Sequence, residues 1–287
     1  MTIANFIPEV WSAALLNALR DQLVYAQPGV ANRNYEGDIA RAGDTVHITS
    51  FVDPDVRDYT RNGSITWDLL SSTQQTLVID QEKYFAFKVD DIDKRQALSG
   101  FVEESTTGAS YNLAATADAF VAETIVDGLD ESDEDDNQLG AVTLSDPEQA
   151  YDLLVNLRTV LTRSNTPDQG RYVVVPPEMY GVLLKDDRFI RADAAGTTAG
   201  LRRGYVGRAA GFDVVEANTV PEDSGEFTVI AGHSIATTYA QQILSTEALR
   251  LENTFGDGIR GLHVYGARLV RPANVATALV TVAGDSV

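Results

Sequence analysis

The sequence predicts an α+β protein, and three observations carry that prediction. Alternating apolar residues on both sides of a long polar tip mark a β-hairpin over residues 44–90. Helix formers fill residues 91–127. A helix–strand–helix–loop–strand–strand order over residues 146–232 marks a small α/β unit.

Taken in chain order, residues 9–25 read as an amphipathic helix. Trp11, Leu15, Leu19 and Leu23 recur every four residues, Leu16 and Val24 widen the stripe, and Pro28-Gly29 stops it. Such a stripe suits a core helix or an arm that docks on a neighbouring subunit. The irregular, polar stretch over 27–43 isolates it and favours the arm. In the hairpin, Thr45–Thr49 alternates, Leu77-Val78-Ile79 begins the return strand, and Phe85, Phe87 and Val89 share one side of its continuation. The tip, residues 52–75, carries Asp53-Pro54-Asp55, Arg57, Asp58, Tyr59, Arg61, Asn62-Gly63 and Trp67. Connections of this length are usually functional or disordered. Mixed charges with exposed aromatics suit a surface that meets another chain. The candidate inter-subunit contacts are therefore Arg57, Tyr59, Arg61 and Trp67 at the tip, with Trp11, Leu15 and Leu19 on the arm.

The stripe Leu113, Ala117, Phe120, Val121 and Ile125 gives the next segment a helical face. Continuous from 93 to 127 it would span roughly 50 Å, longer than a compact domain needs, and it reads as a spine. Gly100 and Gly108 weaken its first half. The acidic run Asp127–Asn137 has calcium-like alternation at Asp133, Asp135 and Asn137. However, Gln138 replaces the required glycine and Leu144 the bidentate glutamate, so the run reads as a solvated loop. Ser145-Asp146-Pro147-Glu148 starts a helix to about Arg163, with Glu148 placed for a capping box. Arg171–Val175 is a buried strand, and Pro176-Pro177-Glu178 opens a short helix to about Lys185. Residues 191–204 read as a mobile loop, and Gly211–Val215 and Glu226–Ile230 as strands. Beyond them, Ala248–Glu252 and Gly261–Val270 form a strand pair joined by Phe255-Gly256-Asp257-Gly258, and Ala276–Val282 is a final strand.

Charge and composition exclude several functions. Across 287 residues, 42 acidic side chains against 22 basic ones give a formal net charge of −20. Phosphate binding relies on clustered Lys and Arg, so nucleic-acid binding is not the main function; a container for DNA, by contrast, gains from an acidic inner wall. There is no cysteine, which excludes disulfides, thiolate metal sites and cysteine nucleophiles and fits a reducing compartment. Neither a membrane-spanning apolar run nor a secretory signal is visible, and no pro-segment is expected ahead of the arm.

The motifs of catalysis are almost absent. Gly256-Asp257-Gly258-Ile259-Arg260-Gly261 matches the dinucleotide fingerprint by letter, but a strand follows it and Ala278 stands where the acid belongs. Gly232-His233-Ser234-Ile235-Ala236 is similar to a nucleophile elbow that would enlist Asp257 and His263; too little chain follows it to complete a hydrolase sheet. His47, His233 and His263 have no metal spacing. No catalytic, cofactor or metal site is expected.

The order of parts resembles that of the major capsid proteins of tailed double-stranded-DNA bacteriophages, the Hong Kong 97-type fold, particularly their actinobacteriophage subset. Local wording agrees at Ile7–Ser12, Tyr35–Val46, Lys185–Phe189, Gly207–Val214 and Gly261–Gly266. The resemblance implies an N-terminal arm (1–35), an extended loop (36–90), a peripheral domain (91–145 and 237–272) and an axial domain (146–236 and 273–287). It implies self-assembly through pentamers and hexamers into an icosahedral virion shell around double-stranded DNA. Scaffolding and portal proteins and a decoration protein are its implied partners, with assembly in the bacterial cytoplasm. Some members of that family weld subunits through a loop lysine. Residues 52–75 contain none, so a non-covalent shell is expected. The competing readings are a cellular encapsulin-type shell, a serine hydrolase using Ser234 and a monomeric binding module.

Overall fold

The computed structural model describes residues 23–34, 45–51, 56–59, 61, 67, 72–90, 101–132, 137–186, 207–251 and 256–283. The expected loop at 191–204 lies outside them, as does the expected helix up to residue 22.

A two-stranded antiparallel ribbon comes first: β1 (Thr45–Phe51) and β2 (Ser72–Val78), paired from Thr45↔Val78 to Phe51↔Ser72. The hairpin expected over 44–90 is shorter than the sequence suggests. After Ile79 the chain leaves the ribbon, and β3 (Gln81–Asp90) pairs with β11 (Gly256–Leu269) instead. Alternation reports a half-buried strand but not its partner. With β10 (Thr237–Arg250), these make a three-stranded antiparallel sheet in the order β10-β11-β3. The Gly-rich stretch 256–261 is strand, paired on both sides from Asp257 onward, so its likeness to a phosphate loop ends there.

The spine helix α1 runs Phe101–Asp130. It extends past the expected end at 127 and takes the first acids of the acidic run as its last turn. Its thirty residues give about 45 Å, the length of the fourteen-residue strands β10 and β11 beneath it. The buried stripe is Leu113, Ala114, Ala117, Val121, Ala122, Ile125 and Leu129. Phe120 meets Tyr265 of β11 edge-on at 5.5 Å. Nearer its end the helix comes so close that a Cβ on Gly128 would stand 2.9 Å from that of Leu269.

The second layered unit is a seven-stranded mixed sheet, ordered β4-β12-β9-β5-β7-β6 with β8 on β9. Its strands are β4 (Gln138–Leu144), β5 (Arg171–Val175), β6 (Arg208–Ala209), β7 (Phe212–Glu216), β8 (Glu222–Asp223), β9 (Glu226–His233) and β12 (Val275–Val282). Two hairpins in it use the turns Ala210-Gly211 and Ser224-Gly225, all four residues at positive φ, the primed turn that matches strand twist. Strand β4 is absent from the sequence reading. It pairs parallel to β12, which moves 138–144 out of the segment assigned to the spine and into this sheet.

Helix α2 (Pro147–Arg163) covers one face of the sheet with Ala150, Leu153, Leu154, Leu157 and Leu161, joined by α3 (Pro177–Leu184). Its cap sits one residue later than expected: Asp146 is the N-cap, and Gln149, not Glu148, accepts the N–H of Ser145 at 2.8 Å. At the other end Asn165 adopts φ +54° while Thr166 N–H reaches the Leu161 carbonyl, a Schellman closure. Arg171, 2% exposed, seals this corner. Its guanidinium donates to Pro167 O (2.8 Å), Thr162 Oγ1 (2.9 Å) and Thr166 O.

Besides the passage through α1, the chain crosses directly between the two sheets at Ser234–Ala236 and at Val270–Asn274. The Ala236 carbonyl joins the crossings by accepting the N–H groups of Val270 (2.8 Å) and Arg271 (3.1 Å). Asn137 spans the same junction, donating to Ala273 O at 3.3 Å and accepting Ser164 Oγ–H at 3.3 Å.

Candidate assembly surface

The appendages begin where the body holds them. At the hairpin root, Val46, Ile48, Leu77 and Ile79 are buried against Ala240, Val264 and Val270. Gly266 makes room for that crossing: any Cβ there would collide with the Val78 carbonyl oxygen. Gln75 Nε2 donates to Val270 O and Arg268 Nη1 to Thr76 O, both at 3.1 Å. Among the described tip residues, Arg57 and Arg61 are exposed, Tyr59 is 72% exposed, Trp67 85%, and Val56 is fully in solvent. All four expected contact residues of the tip are therefore exposed. Trp11, Leu15 and Leu19 lie outside the described residues.

The root of the arm differs from expectation. The described part of the expected linker, 27–34 of 27–43, does not isolate the arm, because Val30 and Ala31 are buried with Leu23, Tyr25 and Ala26 in the core around α1. Nor does the expected helix continue to residue 25. The N–H groups of Val24, Tyr25 and Ala26 are bonded instead to the carboxylate of Asp118 at 2.6, 3.1 and 3.2 Å. Asn32 then pairs with β10, giving its N–H to Thr237 O (2.8 Å) and accepting that of Tyr239 (3.0 Å). Asp118 is 2% exposed. Burial pushes its pKa up to about 6, outweighing the three N–H donors that lower it. This anchor was missed because a lone Asp on the helical stripe reads as an interruption; the sequence carries no signal pairing it with residue 25.

A second polar group is buried nearby. His263 on β11 has Nε2 3.1 Å from Gln241 Oε1, which also accepts the Tyr239 hydroxyl at 2.7 Å. Burial, and secondarily the charge of Arg33, lowers the His263 pKa to about 4. The ring is therefore neutral.

The hydrolase arrangement does not form. Ser234 lies in a turn between two strands, not on a strand-to-helix elbow. His233 uses both ring nitrogens structurally, Nε2 at 2.9 Å from Gln169 O and Nδ1 accepting Ile235 N–H at 3.1 Å. Asp257 is paired with Arg250 at 3.1 Å and shares one strand with His263. Among the described residues no group of three His, Asp or Glu is placed to hold a metal ion, and no helix is long and apolar enough to cross a membrane.

What the described residues present is thus a rooted ribbon, an anchored segment 23–34 and two sheets bridged by a long helix. Known proteins share this arrangement. The chain is similar to a solved structure from Mycobacterium phage Che8, at 36% identity and a TM-score of 0.71, over 96% of this chain and 98% of that one. It shares its fold with the capsid of cyanophage P-SCSP1u (14% identity, TM-score 0.65, 86% of this chain and 85% of that one). The same holds for a virus-like particle from Pyrococcus furiosus (14% identity, TM-score 0.56, 96% and 100%). No curated protein matches. A family model described as phage capsid protein matches residues 73–278, from the return strand of the hairpin through the spine helix to the last strand. With that span added to the Che8 likeness, the chain belongs to the phage capsid protein family and carries the Hong Kong 97-type fold.

Proposed function

We propose that this chain is a major capsid protein that assembles through pentamers and hexamers into an icosahedral shell around double-stranded DNA. The observation that carries the reading is the hairpin, rooted by a small apolar core and ending in Tyr59 and Trp67 held out in solvent. Isolated two-stranded ribbons are marginal in water, so this one needs another chain along its length. Arg57, Tyr59, Arg61 and Trp67 meet a neighbouring copy, and Trp11, Leu15 and Leu19 of the arm serve assembly as well. Heterologous contacts of this kind close into rings. The ribbon 45–78 is the extended loop, α1 with the three-stranded sheet the peripheral domain, and the seven-stranded sheet with α2 and α3 the axial domain. Scaffold, portal and decoration proteins are the partners, and the virion is the destination after assembly in the host cytoplasm. The role is structural, not enzymatic.

Lys83 and Lys88 lie on β3, a strand of the body and not of the ribbon, which supports a non-covalent shell. Assembled particles boiled in detergent are expected to run as one band near 31 kDa, and a covalent ladder would refute this. Negative-stain microscopy of the protein expressed alone tests the main reading. Shells, tubes or rings are expected, alone or on adding scaffold; compact monomers under both conditions would overturn it. An encapsulin-type shell is the second reading, favoured by the Pyrococcus furiosus likeness. Packaged protein cargo in place of DNA would select it.

A further inference from the structure

His233 ends β9 at the point where the chain leaves the seven-stranded sheet for the three-stranded one. Its ring is committed at both nitrogens. Nδ1 accepts the Ile235 N–H at 3.1 Å, and Nε2 lies 2.9 Å from the Gln169 carbonyl oxygen. An accepting nitrogen carries no proton, so the neutral ring holds its hydrogen on Nε2 and donates it to Gln169. Gly170, at φ +78°, lies against the ring: a Cβ there would stand 3.4 Å from Nε2. His233 is half-buried, so protons reach it from solvent.

The turn that this ring closes ties the two direct crossings together. The His233 carbonyl accepts the Ala236 N–H at 2.9 Å, and the Ala236 carbonyl accepts those of Val270 and Arg271 at 2.8 and 3.1 Å. One side of the turn is thus fixed by backbone and the other by an imidazole lone pair.

We propose that protonation of His233 unlocks this turn and makes the link between the two sheets sensitive to acid. The chemistry is a conflict of donors. A second proton sits on Nδ1, where the Ile235 N–H already points, and two N–H groups then face each other. The bond to Gln169 survives protonation and strengthens, because an imidazolium is the better donor. The ring therefore stays held at one end, and the repulsion falls on Ile235 and the residues after it. The charged groups around the ring oppose the new charge. Arg171, a buried cation, stands opposite His233 in the β5–β9 register, and Arg271 belongs to the second crossing. The neighbouring carboxylate, Asp168, is already paired with Arg171 at 3.0 Å. The inference concerns the single subunit and stands apart from the shell reading.

The test uses the full chain at about pH 8 and about pH 5, the span in which imidazoles ordinarily change charge. Nitrogen NMR of the histidine rings gives the first readout. At the higher pH the His233 proton should sit on Nε2; a proton on Nδ1 would overturn the proposal. Amide exchange, expressed as protection relative to the unfolded chain, gives the second. At the lower pH, protection at Ile235, Ala236, Val270 and Arg271 should fall several-fold as the ring becomes protonated, while Val173 and Val174 of β5 keep theirs. A protonated ring with unchanged protection, or a ring still neutral at the lower pH, would refute the switch. His233→Asn separates the ring from every other acid effect. Its Oδ1 can accept the N–H two residues on, as in an Asx-turn, and it does not titrate. Protection in this variant should hold at both pH values; a loss equal to the parent's would assign the response to other groups and overturn the proposal. His233→Phe removes the acceptor outright and should show at the higher pH the low protection that the parent shows in acid. Parent-like protection in the phenylalanine variant would mean that the ring does not hold the turn.

Discussion

Asp118, midway along the spine helix, holds the backbone N–H of Tyr25, ninety-three residues earlier in the chain, at 3.1 Å. The same carboxylate takes the N–H groups of the residues on either side. Three buried donors thus depend on one side chain. Replacing it with alanine leaves them unpaired, at about 1–3 kcal/mol per orphaned group before relaxation. Asp118→Ala is expected to lower stability by about 2–4 kcal/mol in urea titration. It should also make the amides of residues 24–26 exchange faster. Parent-like exchange there would show that the anchor contributes nothing.

Asp118 and His263 oppose each other in their response to pH. The folded-state pKa of Asp118 is raised to about 6, so the native protein keeps a proton that the unfolded chain has lost. Its contribution is full below the ordinary carboxyl range and is lost as pH rises through about 6. His263 is lowered to about 4, so the unfolded chain binds a proton that the native state refuses. Its contribution is present above the ordinary histidine value of about 6.5 and is lost as pH falls through about 4. Each shift is worth about 3 kcal/mol. Between pH 4 and 6.5 the two nearly cancel. Asp118→Asn should therefore lose stability on acidification more steeply than the parent. His263→Gln should instead gain relative stability on acidification. Unfolding curves at pH 4.5, 5.5 and 6.5 decide; variants that both track the parent slope would refute the opposition.

Arg171 closes the end of α2 from inside, donating to two loop carbonyls and to Thr162 Oγ1. Lysine cannot reproduce a planar fork of donors. Arg171→Lys is expected to cost about 2 kcal/mol, and Arg171→Met about 3 kcal/mol or more, because the carbonyls stay buried without donors. Thermal unfolding at constant pH measures both; a methionine variant as stable as the parent would contradict this.

Gly266 lies under the hairpin root, where a Cβ would meet the Val78 carbonyl oxygen and Ile79. Backbone cannot step aside as a side-chain tip can. Gly266→Ala should detach the root, raising amide exchange in β1 and β2 while leaving β5 and β9 protected. Uniform protection across both sheets would show that the close approach is not needed.

At the tip the expected effect is the reverse. Trp67 and Tyr59 are exposed and rooted to nothing in their own chain's core. The double variant Trp67→Ser with Tyr59→Ser should change the unfolding free energy by about 0.5 kcal/mol or less. Particle yield by sedimentation should nevertheless drop several-fold. Normal yield would place the assembly contact elsewhere.

Local pattern was enough for much of this molecule. The stripe of α2, the run Arg171–Val175 and the alternation of the last strands each report a residue's own surroundings, and periodicity records those directly. The order of these parts was enough to suggest the capsid fold. Which strands pair was decided only in three dimensions. Strand β3 alternates as a hairpin arm would, yet Gly261 opens a place for Phe85 and draws it to β11. Strand β4 alternates too weakly to be visible and exists because β12 offers an edge. Asp118 shows the same division. Its helix is written in the neighbouring residues, but its partner is fixed by the packing of a segment more than ninety residues away. Short-range steric and hydrophobic preferences act within a few residues and leave their period in the sequence. Hydrogen-bond partners across the core are chosen by which groups must be satisfied once burial has removed water, and no local period encodes that choice.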